Sequence, residues 1–378
     1  MGILKKLVLG LIAVFILAIF GLWITGNAFI LTGIARTYLV GHPTANIDDH
    51  QQFKTNTITT STPQAWPEIE SFKADALPQD FLDHLEQNDA IAFLVAKNGE
   101  IVTESYFDGY TDRSKTNSFS MAKTVITLLM GIAIDEGYIE SVDQALTDFL
   151  PEFANDEFGK NASIGSLSTM SSGYDWDESY YNPFSPTVKL YYGPDVIDFL
   201  TKGHFSKEVD SYFYYSSAST QLLSIAVKRA LQAQDPDITL SEYLSEKIWE
   251  PLGMNDDALW HLDNNGMELA YCCISTNARN FAKLGQLMLQ NGAWNNDTLL
   301  SSSYVTMMHQ PIFVNNYGYS TWLGKDAEEP YYYFRGHLGQ YIIVVPGQDM
   351  VIVRLGKTPG SGVVEDNIDE FIRQAKAL

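Results

Sequence analysis

The sequence predicts an α+β fold: a central, mainly antiparallel sheet built from both ends of the chain and flanked by helices, with a mainly helical subdomain between those ends. Three observations predict it. Residues 90–107, AIAFLVAKNGEIVTESYF, hold two β-rich runs around Lys97-Asn98-Gly99, and Asn-Gly accepts the positive φ angles of a tight hairpin turn. The middle of the chain reads as helices joined by long loops, at 216–231, 240–248 and 277–291. The final third returns to strands at 331–334, 340–345 and 350–355, divided by Gly and Pro turns.

The elements follow in order. Lys5 and Lys6 precede a charge-free run, residues 7–25, LVLGLIAVFILAIFGLWIT. At 1.5 Å per residue it spans about 28 Å, close to the hydrocarbon thickness of a bilayer. Residues 1–25 are therefore expected to be a transmembrane signal anchor, with the lysines in the cytoplasm and the rest of the chain outside. A cleaved signal peptide is the alternative. Its apolar region is usually shorter and ends at a small-x-small site, whereas here Ala-x-Ala is absent and Trp23 sits at the far end like an interfacial anchor. Residues 26–78, with a Thr/Ser-rich run and Pro63 and Pro67, read as a connector that partly packs on the domain. The domain proper, 79–378, opens with a helix near 79–88 and the hairpin. The run SFSMAKTVITLLMGIAIDEGYI then repeats apolar residues at helical spacing, and Gly137 can close that helix. A last helix covers roughly 364–377.

Composition bounds the function. With 378 residues, 46% hydrophobic and 19% charged, the chain is globular and long enough for a real core. A formal net charge of −22 argues against nucleic acid and anionic lipid headgroups as partners. The two cysteines, Cys272 and Cys273, are adjacent, with Cα atoms about 3.8 Å apart across a trans peptide. That is closer than disulfide geometry prefers, so free, buried thiols are expected. No zinc-type Cys/His spacing occurs, and no metal or cofactor is expected.

Three motifs can carry chemistry. Ser120-Met121-Ala122-Lys123 opens the first strong helix, and residues three apart share a helix face, so Lys123 can reach Ser120 Oγ. A buried lysine has a lowered pKa and can act as a base, and a helix N-terminus offers free N–H groups to an oxyanion. Roughly one Ser-x-x-Lys is expected by chance in a chain of this length. Lys123 nevertheless lies in an apolar run, an odd place for an idle lysine. Tyr214-Tyr215-Ser216-Ser217 enters a second helix, where a phenol could lie near an ammonium and relay protons. Aromatic packing is the competing reading for any one of 21 tyrosines. Gly336-His337-Leu338-Gly339-Gln340 leads into a strand. There small residues would let substrate backbone approach, and His337 could donate to a substrate oxygen; a turn with a surface histidine is the alternative.

In this order, Ser-x-x-Lys, Tyr-Ser-Ser and His-x-Gly resemble the serine β-lactamase and penicillin-binding protein superfamily. The class C-like branch, with its esterases, D-aminopeptidases and aminohexanoate-oligomer hydrolases, is the most similar. Met170-Ser171-Ser172-Gly173 before Tyr174-Asp175-Trp176-Asp177, Ser275-Thr276, and Phe281-Ala282-Lys283-Leu284-Gly285 support it. The resemblance covers roughly residues 90–378 and implies a β-lactamase/transpeptidase-like fold. It implies Ser120 as the acylated nucleophile, Lys123 as its base and Tyr215 as the phenol of the Tyr-x-Asn position. It implies an oxyanion hole from the backbone N–H groups of Ser120 and Gln340. His337 and Gly339 replace Lys-Thr-Gly and would bind substrate with Ser217 and Trp176. Ser217 stands where many lactamases have asparagine and His337 where they have lysine, which speaks against efficient β-lactam hydrolysis. The usual Pro-Gly turn before the tyrosine is replaced by Val209-Asp210.

The expected function is a serine hydrolase of esters or small amides on the periplasmic side of a bacterial inner membrane. A cell-wall D-Ala carboxypeptidase, D-aminopeptidase or β-lactamase is the first alternative. A non-catalytic ligand sensor is the second, against which the complete Ser120, Lys123 and Tyr215 set argues. Trp176, Tyr180, Tyr181, Trp322 and Tyr331 are expected pocket walls on loops.

Overall fold

The computed structural model describes residues 2–324 and 329–378; Met1, the first residue of the predicted anchor, lies outside them. In chain order the N-terminal part holds α1 (Gly2–Ile24), α2 (Phe29–Arg36), β1 (Lys54–Ile58), α3 (Gln79–Gln87), β2 (Ala90–Lys97), β3 (Glu100–Tyr106) and β4 (Thr116–Asn117). The middle holds α4 (Ala122–Asp135), α5 (Ile164–Ser168), α6 (Pro186–Tyr192), α7 (Val196–Thr201), α8 (Ser217–Gln232) and α9 (Leu240–Leu244). Then come β5 (Ala258–Leu262), β6 (Ile274–Thr276), α10 (Ala278–Leu289), β7 (Ala293–Trp294), β8 (Asp297–Thr298) and α11 (Ser302–Met308). The chain ends with β9 (Trp322–Leu323), β10 (Tyr332–Gly336), β11 (Gln340–Val345), β12 (Met350–Gly356) and α12 (Val364–Lys376).

The main sheet has six antiparallel strands in the order β3-β2-β12-β11-β10-β9. Both chain ends supply it, because β2 pairs with β12 from Met350–Lys97 to Gly356–Ala90. The predicted hairpin is the β2–β3 turn, where Asn98 (φ 53°) and Gly99 (φ 78°) both take left-handed conformations. Side chains alternate faces along these strands. Ile342, Val344, Val351 and Val353 enter one core with α4, α8 and α10, while Tyr341, Ile343, Met350 and Ile352 enter a second with α3 and α12. Both faces are covered, so the strands read as nearly continuous apolar runs.

Helix α4 is buried almost all round, from Ala122 to Ala133, which explains its lack of a polar face. Gly137 (φ 78°) follows its end. Helix α1 buries none of its side chains and is long and apolar enough to cross a membrane.

Two features differ from the sequence reading. The segment 26–78 contributes β1, which pairs with β5 in a second, four-stranded sheet ordered β1-β5-β6-β4. The middle of the chain is thus not helical throughout: β5 and β6 are short and two-faced, and they lacked the length that marks a strand by periodicity.

Candidate active site

Ser120 lies in a tight turn, residues 119–121, that runs into α4. Phe119 before it takes φ 44°, a left-handed conformation that a bulky residue seldom adopts. Its N–H donates to Asn117 Oδ1 at 2.9 Å, and the carbonyl of Ser118 lies against Gly336, where a Cβ would come within 2.2 Å. The strain is thus held by strand β4 on one side and the β10–β11 hairpin on the other.

One turn into the core, Lys123 is 1% exposed. Its Nζ lies 3.1 Å from Ser120 Oγ, 3.1 Å from Ser217 Oγ and 2.9 Å from the carbonyl oxygen of Tyr271. The rings of Tyr215 and Tyr271 flank it at 5.1 and 5.4 Å. Burial pushes this amine down from 10.5 to about 8, and the carboxylate of Glu178 partly opposes that shift.

Tyr215 immediately precedes the N-cap of α8, where Ser216 accepts from the N–H of Ser219. It lines the same cleft as Ser120, whose hydroxyl lies close enough to act on its titration. Burial raises its pKa well above the ordinary tyrosine value, with a partial lowering by Ser120, so the phenol stays protonated. Tyr214 is 39% exposed and lines neither cavity at Ser120.

The third motif forms the other wall. Leu338 (φ 60°) and Gly339 (φ 79°) turn the chain sharply into β11. Buried Arg354 on β12 pins this turn, donating to the carbonyls of Leu338 (3.2 Å), Gly339 (2.8 Å), Thr358 (2.9 Å) and Asn88 (2.6 Å). A Cβ at position 339 would come within 2.2 Å of that guanidinium, hence glycine. The Gln340 side chain is turned into the sheet, donating to the carbonyls of His337 and Gly356, so only its backbone is available to a ligand. His337 packs edge-on to Phe119 at 5.6 Å and beside Tyr180 at 5.3 Å. Burial and the nearby Arg335 lower its pKa below the ordinary histidine value, so it is neutral at pH 7.

Two cavities meet at Ser120. A narrow slot of about 80 Å³ is lined by Tyr271, Cys272, Tyr191, Val188 and, from the N-terminal segment, Thr44 and Ala45. A wider cleft of about 400 Å³ is lined by Tyr215, Trp322, Arg335, Gly339 and Tyr341. His337 and Tyr180 border both. Arg335 stacks on Trp322 at 5.3 Å and makes no ion pair among the described residues.

The structure therefore brings Ser120, Lys123, Tyr215, Ser217, His337, Gly339 and Gln340 together. Trp176 is apart: it lines neither cavity at Ser120 but a separate surface cleft, and its indole N–H donates to Glu178 at 2.8 Å. Tyr331 also lies elsewhere, against Asp369. The cysteines correct the expectation of free thiols. Cys272 and Cys273 form a disulfide with each other, at a Cα separation of 3.7 Å, with Cys273 at φ 82°. That left-handed residue turns the second side chain back toward the first, a rotation that the spacing argument left out. Sequence reasoning missed Glu178, Arg335 and the carbonyl of Tyr271. The acidic run Asp175–Glu178 was a signal for the first, while no pattern marks the other two.

The fold and this constellation are those of the serine β-lactamase and penicillin-binding protein-like superfamily. The chain belongs to the Beta-lactamase family, whose profile matches residues 79–377. Among curated proteins it is 28% identical to a 6-aminohexanoate-dimer hydrolase of Paenarthrobacter ureafaciens over 243 residues, 61% of this chain and 60% of that protein. A Bacillus anthracis structure provisionally described as a 6-aminohexanoate-dimer hydrolase superposes with a TM-score of 0.73 at 21% identity, covering 87% of this chain and 91% of the other. A family VIII carboxylesterase superposes with a TM-score of 0.61 at 15% identity, covering 79% and 94%. The match spans about 60% of the Paenarthrobacter protein's length, and the two solved structures share the fold.

Proposed function

We propose that this protein is a serine hydrolase that cleaves esters or small amides through an acyl-enzyme on Ser120. The observation that carries the reading is the buried Lys123 amine 3.1 Å from Ser120 Oγ, with its pKa lowered to about 8 by burial. In its neutral form Lys123 takes the Ser120 proton as Oγ attacks the carbonyl carbon. The oxyanion is held by the backbone N–H groups of Ser120 and Gln340. Tyr215 gives its proton to the departing alcohol or amine and takes one back from protonated Lys123, whose amine lies beside its ring at 5.1 Å. Water then attacks the acyl-enzyme, with the same groups acting in reverse, and releases the acid.

Tyr215 borders the wider cleft and not the slot, so the leaving group departs on the Arg335 side. The apolar slot receives the acyl part, and Arg335, which makes no ion pair among the described residues, suits a leaving group that carries a carboxylate. A 6-aminohexanoate dimer, the substrate named for the Paenarthrobacter relative, has a leaving group of this kind, with a carboxylate at its end. His337 and Gly339 hold the substrate beside β11. The N-terminal helix anchors the protein in a bacterial inner membrane, with the catalytic domain on the periplasmic side.

The test is a fluorophosphonate probe with the purified protein, followed by a panel of p-nitrophenyl esters, nitrocefin and D-Ala peptides. Labelling that disappears in Ser120→Ala, with ester or amide turnover, is the expected result. A wild-type protein that neither labels nor turns over any of these is a non-catalytic relative. Labelling by a fluorescent penicillin with D-Ala release shifts the substrate to the cell wall.

A further inference from the structure

Lys123 has three polar neighbours, and a neutral amine has two hydrogens and one lone pair. Which neighbour receives the lone pair decides whether Lys123 can act as a base at all. The carbonyl oxygen of Tyr271 can only accept, so it takes one hydrogen. Ser217 Oγ could either donate or accept. If its hydroxyl pointed at Lys123 it would occupy the lone pair and leave Ser120 facing a hydrogen.

A carboxylate removes that choice. Glu178 Oε1 lies 2.5 Å from Ser217 Oγ, and Oε2 accepts from the backbone N–H of Ser217 at 2.7 Å. Trp176 Nε1 (2.8 Å) and the Tyr180 hydroxyl (2.8 Å) complete its contacts. Two of the four donors, an indole N–H and a backbone N–H, can do nothing but donate. Glu178 also sits at the N-terminal end of α8, where an anion is favoured. Because a carboxylate can only accept, the Ser217 hydrogen points to Glu178. Ser217 Oγ must then accept the second hydrogen of Lys123. Only the lone pair is left for the third neighbour, and that neighbour is Ser120.

Resting on the serine-hydrolase reading, we propose that Glu178 is a positioning residue that acts through Ser217: it sets the direction of the Ser217 hydroxyl and so aims the Lys123 lone pair at the nucleophile. It touches neither Ser120 nor Lys123 by hydrogen bond. It also balances charge. Among the groups facing Lys123, namely Tyr215, Tyr271, Ser217 and Glu178, it is the one negative charge, and it favours the protonated lysine.

The experiment compares Glu178→Gln, Ser217→Ala and the double variant with wild type, on a p-nitrophenyl ester across pH. In Glu178→Gln the amide can place an N–H against Ser217, which frees the Ser217 hydroxyl to turn on Lys123. The expected result is a fall in kcat of about tenfold or more, part of what a full general base contributes, with KM little changed. The acid limb of the kcat/KM profile should also move to lower pH, because the charge that held the proton on Lys123 is gone. A loosened pocket would lower activity without moving the limb down, since entering water would raise the lysine toward its ordinary value. In the Ser217→Ala background, Glu178→Gln should add much less than it does alone, because the hydroxyl it directs is absent. The proposal is overturned if Glu178→Gln stays within about twofold of wild type, if its acid limb does not move down, or if the two substitutions multiply in full. Fluorophosphonate labelling separates the two levels: no labelling of wild-type Ser120 defeats the serine-hydrolase reading itself. Labelling of Glu178→Gln at the wild-type rate defeats only the role of Glu178.

Discussion

The pH dependence of acylation follows from where Lys123 is buried. The base works only when neutral, and removal from water lowers its pKa from 10.5 to about 8. At pH 7 a lysine of ordinary pKa would be neutral in about one molecule in 3,000, whereas one titrating near 8 is neutral in roughly one in ten. Burial therefore raises the working fraction of enzyme by about 300-fold at neutral pH. The perturbation is pH itself. Between pH 8 and pH 6, kcat/KM for a p-nitrophenyl ester should fall about 50-fold, about fivefold over the first unit and about ninefold over the second, and it should level off above about pH 9. The assay is nitrophenolate release at limiting substrate, corrected for spontaneous hydrolysis at each pH. Lys123→Arg should abolish the profile and the turnover, since a guanidinium has no neutral form in this range. The same shift bears on stability. Between about pH 8 and 10.5 the folded state binds fewer protons at this site than the unfolded chain, so stability gained from it rises with pH through that window and is lost as pH falls through about 8. A kcat/KM flat from about pH 6 to 9, or an active Lys123→Arg, would refute the assignment of Lys123 as the base.

Three further outcomes are expected. Tyr215→Phe should cost on the order of 10²–10⁴ in amide hydrolysis and much less with a nitrophenyl ester, because an amine must be protonated to leave and a nitrophenolate need not; equal losses on both would remove the proton-donor role. His337→Ala, at a residue that borders both cavities, should raise KM more than it lowers kcat; the reverse pattern in initial-rate kinetics would place the histidine in the chemistry instead. Removing α1 should release protein that no longer sediments with membranes, and a C-terminal reporter on the full chain should be active only outside the cytoplasm; cytoplasmic reporter activity would reverse the topology.

The parts of the molecule that local rules govern were legible from the sequence. Asn98-Gly99 demanded a hairpin, and the apolar runs at both ends had to share a sheet because each buries both faces. Lys123 stood out because a lysine in an apolar helix needs a reason to be there. The rest depends on long-range placement. Strand β1 is polar along most of its length, so only its pairing with β5 makes it a strand. Thr44 and Ala45 reach the slot because the segment after α2 folds back onto the domain, which no composition signal announces. Trp176 and Glu178 are two residues apart, and the sequence pointed to the aromatic one. The structure turns the indole toward Glu178 and gives the carboxylate the contact with Ser217. The cysteine pair shows the limit of a distance argument that ignores φ: adjacency alone opposed a disulfide, and the left-handed Cys273 permits it.

The central claim is that Ser120 carries the acyl group, and intact-protein mass spectrometry tests it most directly. Protein mixed with an activated ester and quenched in acid during turnover should gain the mass of one acyl group. Digestion should place that group on the peptide containing Ser120, and Ser120→Ala should show neither adduct nor turnover. An adduct on another residue, or wild-type turnover by Ser120→Ala, would contradict the account.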